Sequence, residues 1–134
     1  MKYKILIVAA NYYTDISKNL LKKAKLTLNK RANIKIINVP GVFEIPVVIS
    51  KNINKFDGFI ALGCVIKGET PHFDFISKAS TNAIMNLSIT HKKPITNGII
   101  TCLNKKQALA RSSNNKKNKG LEASKAILSV LTNF

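Results

Sequence analysis

The chain has 134 residues, 46% of them hydrophobic, which suits one compact domain over residues 1–134 and is too apolar for a disordered chain. Its apolar runs, such as FIALGCVI, fall well short of the roughly 20 residues of a membrane span, so no spanning segment is expected. The formal charge of +16 raises nucleic acid as a partner, but the sequence argues against a specific reader. The charge is almost all lysine, with Arg31 and Arg111 the only arginines, and Lys, Asn and Ile are together what an AT-rich genome encodes. Specific readers favour the planar fork of arginine, and the lysines here are scattered apart from KKNK (116–119), so nucleic-acid binding is expected to be nonspecific at most.

KYKILIVAA (2–10) is a continuous run rich in Ile and Val, the pattern of a strand buried on both faces. Its basic start lacks a small-residue cleavage site, so it reads as a strand rather than a leader, and a cytoplasmic protein is expected. A loop with a helix cap at Thr14 or Asp15 follows, then Ile16, Leu20, Leu21, Ala24 and Leu28 at helical spacing to about residue 30. NIKIINV (33–39) predicts a second strand and PGVFEIP (40–46) a tight turn. Pro46 suits the first turn of a helix to about Asn54. DGFIALGCVI (57–66) predicts a third strand, His72 to Thr90 a long helix, and PITNGIIT (94–101) a fourth strand. KKQALARS predicts a short helix, the polar stretch SSNNKKNK (112–119) a loop, and residues 118–133 a last helix with Leu121, Leu128 and Leu131 on one face.

Strands alternating with helices predict an α/β fold, a three-layer sandwich with a four-stranded parallel sheet. Right-handed crossovers make a flavodoxin-like order, 2-1-3-4, the natural arrangement. Ligands in such sheets bind at the carboxyl ends of the strands where the winding reverses, here between the first and third strands. The loops leaving those strands are Asn11–Thr14 and Lys67–Phe73.

The second of these loops opens KGETPHFDF (67–75), which holds one of only two histidines in the chain. Pro71 favours the first turn of a helix, with Thr70 as the cap and His72 just inside. Free N–H groups at a helix start attract anions, phosphate above all, and the helix dipole there favours an uncharged imidazole. Gly68 lets the backbone approach a ligand closely. The stretch therefore reads as an anion cradle beside a proton-transfer group, or else as a solvated helix start whose acids, Glu69 and Asp74, merely complement the dipole. Cys64 and Cys102 show no metal-ligand spacing and read as buried thiols in a reducing compartment, so no metal is expected.

VPGVFEIP, ALGCVIKGETPHFDF, PITNGIIT and the NKG of KKNKG stand in the order and at the spacing of one family's blocks. On these residues the chain resembles the 6,7-dimethyl-8-ribityllumazine synthase family from about residue 4 onward. The resemblance implies condensation of 5-amino-6-(D-ribitylamino)uracil with 3,4-dihydroxy-2-butanone 4-phosphate, with release of phosphate and water and with no cofactor. It also implies active sites between neighbouring subunits of a homopentamer, which some members assemble into a sixty-subunit shell.

By motif, the resemblance makes His72 the proton-transfer residue and sets Glu69, Thr70, Arg111 and Lys119 at the phosphate. It sets Cys64, Val65 and Ile66 along the pyrimidine and Val42, Phe43 and Glu44 at the ribityl chain. Tyr12 would stack on the heterocycle, and Asn97 would help wall the ring, with Arg111, Lys119 and Asn97 facing the neighbour's site. Arg111 would then persist as arginine because a bidentate fork orients a phosphate and a lysine cannot.

The sequence also departs from the family pattern. Asn11-Tyr12-Tyr13 replaces a usual R-F-N, Asn97 an often aromatic position, and SSNNKK a glycine-containing A-G-T-K-A-G. With little N-terminal extension as well, pentamer, decamer and shell stay open, and a pentamer is expected. A scaffold on the same fold that binds a flavin or lumazine without turnover is the alternative reading.

Overall fold

The computed structural model describes residues 2–134. Strand β1 (Tyr3–Ala10) leads to helix α1 (Thr14–Leu28) and strand β2 (Ala32–Val39). A 3-10 turn (Val42–Glu44) runs directly into helix α2 (Ile45–Lys51), with Pro46 in its first turn. Strand β3 (Gly58–Ile66), helix α3 (His72–His91), strand β4 (Ile95–Cys102), helix α4 (Lys105–Ala110) and helix α5 (Lys119–Asn133) complete the chain. All strand pairs are parallel and the order is β2-β1-β3-β4, the flavodoxin-like arrangement read from the sequence.

Alternation along the central strands sorts the core into two layers. Ile5, Ile7 and Ala9 of β1, with Ile60, Leu62 and Cys64 of β3, face α1 and α5. The intervening Leu6, Val8 and Ala10, with Phe59, Ala61 and Val65, face α2 and α3. A one-residue slip of either strand would exchange these two sets, so the register is strongly specified. On α1, Ile16, Leu20, Ala24 and Leu28 recur every four residues and are all fully buried, which fixes the helix's inner stripe.

Helix ends depart from the expectations. Tyr13, not Thr14 or Asp15, is the N-cap of α1, and no side chain caps it. The same helix stops at Leu28, and Lys30 then takes a left-handed φ of 66°. Lys92 does the same at the end of α3 (φ 54°), donating its backbone N–H to Ile89 and Ser88 carbonyls. No described helix is long and apolar enough to cross a membrane.

Candidate active site

The sheet order puts the winding reversal at the carboxyl ends of β1 and β3, and a cleft of about 600 Å³ opens there. Tyr12 and Tyr13 come from the loop after β1, Gly41, Val42, Phe43 and Glu44 from the 3-10 turn, and Cys64, Val65 and Ile66 from the end of β3. His72 and Ile76, one turn apart, come from the first turns of α3. Of the candidates, Tyr12, Val42, Phe43, Glu44, Cys64, Val65, Ile66 and His72 are thus brought together.

Each wall has a local cause. The turn at Gly41–Glu44 is closed by the Glu44 N–H donating to the Gly41 carbonyl at 3.2 Å. Val42 is buried against the core, which leaves Phe43 projecting outward at 62% exposure. Tyr12 is 75% exposed, and Tyr13 meets it edge-on, with ring centroids 4.9 Å apart at 84°. The half-buried Glu44 has no ion-pair partner among the described residues. Burial, helped by Cys102 alongside, pushes the Cys64 thiol up to about 12, so Cys64 presents an uncharged wall rather than a nucleophile. Burial likewise raises Tyr13, with Cys64 contributing.

Glu69 and Thr70 are exposed on the loop beside this cleft and do not line it. The helix proper begins at His72, and the Thr70 hydroxyl accepts the His72 N–H at a long 3.4 Å. Asp74 and Phe75 N–H groups both donate to the Pro71 carbonyl. The helix start therefore offers fewer free amides than expected. The amides of Gly68, Glu69 and Thr70 have no acceptor among the described residues.

Arg111 and Lys119 lie in a different cleft, of about 540 Å³, that shares no lining residue with the first. It sits at the end of β4, between α4 and the start of α5, and Lys106, Lys117, Asn104 and Gln107 also line it. No acid is among its lining residues, whereas the first cleft has neither Lys nor Arg. Arg111 is exposed, and its Nη1 donates to the Gln107 carbonyl at 3.4 Å. Lys119 donates its backbone N–H to the Arg111 carbonyl at 2.8 Å, and its ammonium pairs with Glu122 at 3.1 Å. Asn97 lines neither cleft; it is exposed on the edge strand β4 and its Oδ1 accepts the Ile99 N–H at 2.9 Å.

Sequence reasoning did not single out Gly41, Ile76 or, as a wall, Tyr13 in the first cleft, nor Lys106, Gln107 and Lys117 in the second. Ile76 stands four residues after His72, and Gln107 four before Arg111, so helical spacing from each chosen residue would have found both. Among the described residues no group of three or more His, Cys, Asp or Glu side chains could hold a metal ion.

A sequence model of the 6,7-dimethyl-8-ribityllumazine synthase family matches residues 2–134. Among curated relatives, the 6,7-dimethyl-8-ribityllumazine synthase of Agrobacterium fabrum is 41% identical, covering 97% of this chain and 93% of its own. That of Bartonella henselae is 45% identical, covering 97% and 87%, and that of Vesicomyosocius okutanii 40%, covering 97% and 84%.

Proposed function

The chain belongs to the 6,7-dimethyl-8-ribityllumazine synthase family of riboflavin biosynthesis, and on that premise we propose that its active site is completed between two subunits. The His72 cleft of one copy meets the Arg111 cleft of the next. One observation carries the reading. The chain has 22 Lys and Arg residues, yet none lines the cleft that holds His72. A site that binds a phosphate monoester there needs its cations from elsewhere, and the acid-free cleft of Arg111 and Lys119 supplies them.

In this arrangement the reaction condenses 5-amino-6-(D-ribitylamino)uracil with 3,4-dihydroxy-2-butanone 4-phosphate. Tyr12 stacks on the heterocycle, and Cys64, Val65 and Ile66 lie along it, the Cys64 thiol staying protonated. Glu44, without an ion-pair partner among the described residues, accepts from ribityl hydroxyls, with Val42 and Phe43 flanking the chain. Arg111, Lys119 and the loop of Glu69 and Thr70 hold the phosphate, and Asn97 faces the neighbour's ring. The amine attacks the ketone, water leaves as the imine forms, phosphate departs, and a second condensation closes the ring. His72 moves protons between these steps. Holding two reactants in one orientation supplies most of the acceleration. We place this enzyme in the cytoplasm as a homopentamer; its two cysteines, both free and buried, fit a reducing compartment.

Mixing two impaired variants tests the completion between subunits. His72→Ala and Arg111→Ala proteins are dissociated, combined in equal amounts and reassembled, and lumazine fluorescence is followed with both substrates. With shared sites, about a quarter of the sites in the mixture receive both intact halves and work at the unmutated rate, so activity rises above the average of the two variants. Activity no greater than the average of the two variants would refute the shared site.

A further inference from the structure

We propose that Asn118 is a positioning residue that holds Arg111 and Lys119 in a fixed relation by joining the end of α4 to the start of α5. The proposal rests on the reading of those two cations as the phosphate clamp. Asn118 is fully buried, although residues 114–117 just before it are exposed. Its side chain fills four hydrogen-bond positions. Nδ2 donates to the carbonyls of Ser112 at 2.9 Å and Ser113 at 3.0 Å, and Oδ1 accepts from the N–H groups of Gly120 at 2.9 Å and Leu121 at 3.1 Å. One half of the amide therefore grips the residues just after Arg111, and the other half those just after Lys119. The Lys119 N–H to the Arg111 carbonyl closes the same joint.

Helix capping alone does not account for this side chain. A cap needs only the oxygen, and Asp, Ser or Thr would serve as well. The two Nδ2 donors contribute nothing to α5; they fix the 111–113 backbone. Asparagine is a short side chain that donates and accepts at once, so it can perform both tasks. Arg111 needs such support. It is the C-cap of a six-residue helix, and among the described residues its guanidinium has only the long contact to Gln107. The loop that follows it contains no glycine or proline to set its course. A guanidinium that reads a phosphate with two parallel bonds loses that geometry when its backbone drifts.

The test compares Asn118→Ser, which keeps a capping oxygen and loses the donors, with the parent and with Arg111→Ala, all in the intact assembled protein. Asn118→Thr, also a capping residue, serves if the serine variant fails to fold. The readouts are KM for each substrate and the affinity for inorganic phosphate by calorimetry. The expected result is a KM for the butanone phosphate raised on the order of tenfold, in the range that misplacing a binding group can cost. Phosphate affinity falls in parallel, and the KM for the pyrimidine is unchanged. If Arg111→Ala loses phosphate affinity and Asn118→Ser does not, the clamp stands and the positioning role is overturned. If both KM values rise together, Asn118 is structural only. If Arg111→Ala itself binds phosphate like the parent, the clamp falls and the proposal falls with it.

Discussion

Gly120→Ala isolates the cost of disturbing the joint between the cationic cleft and the core. Helix α5 starts against α1 so closely that a methyl on Gly120 would overlap the carbonyl oxygen of Leu20 and lie 2.9 Å from its carbon. Carbon atoms prefer about 3.5 Å or more, so the first turn of α5 must withdraw by at least about 0.6 Å. Both obstructing atoms belong to backbone inside a helix, and neither can rotate away. Overpacking of this kind costs typically about 2 kcal/mol. At about 2.1 cal/mol/K per residue, the 134-residue chain has an unfolding entropy near 0.28 kcal/mol/K, so Tm should fall by about 7 °C. The same withdrawal moves Lys119 and loosens the Asn118 bonds to Gly120 and Leu121, so the KM for the butanone phosphate should rise as well. Differential scanning fluorimetry at one fixed protein concentration and steady-state kinetics read the two effects, the fixed concentration being necessary because assembly shifts Tm. A Tm within about 1 °C of the parent, with unchanged KM, would refute the packing argument, since the overlap would then have been relieved at no cost.

Gly68→Ala separates backbone geometry from ligand approach. No glycine here has a positive φ, and a methyl on Gly68 would have nothing within 4 Å. Tm should therefore stay within about 1 °C of the parent. If the loop amides approach a bound phosphate, the KM for the butanone phosphate rises; an unchanged KM would remove the loop from the phosphate site. Cys64 gives a pH prediction. The folded protein holds its proton up to about 12, against 9.0 for an ordinary thiol, so between those values the unfolded chain binds fewer protons and stability falls as pH rises. Urea unfolding at pH 8 and pH 10 should show a larger loss for the parent than for Cys64→Ala. Iodoacetamide should label Cys64 in the folded protein far more slowly than free cysteine at pH 8; comparable rates would refute its assignment as a protonated wall.

The departures from the family pattern look different once placed in space. Tyr13, where an asparagine is usual, packs its ring edge-on against Tyr12. Edge-to-face pairs add about 0.5–1.5 kcal/mol beyond area burial, so the substitution helps hold the exposed Tyr12 ring in one orientation. At 97 the polar side chain turns back onto its own strand, accepting the Ile99 N–H, and contributes no flat surface. The first cleft still carries three aromatic rings, Tyr12, Tyr13 and Phe43. On the proposed sharing of sites between subunits, the loss of an aromatic at position 97 falls on a cleft that keeps these three rings.

What the residues disclosed follows the reach of each physical signal. Strands β1 and β3 were legible because both faces are buried and the chain writes continuous Ile, Val, Leu and Ala there. With those strands placed, the crossover rule gave the order, and the order gave the first cleft and its His72. Helix ends were less legible because this chain does not punctuate with glycine: Lys30 and Lys92 hold left-handed positions where glycine is usual, so α1 appeared to run two residues too long. The second cleft had no period to announce it. Arg111 ends a short helix, and its place beside Lys119 depends on a loop that reads as solvated polar chain. Asn118 shows the limit most clearly. In SSNNKKNK it is one of three asparagines among lysines and serines; its place in NKG at the start of the last helix sets it apart from Asn114 and Asn115, but nothing local shows that it is buried. Only the tertiary turn that folds α5 against α1 removes it from water, and burial is what converts a polar side chain into a joint that must be fully bonded.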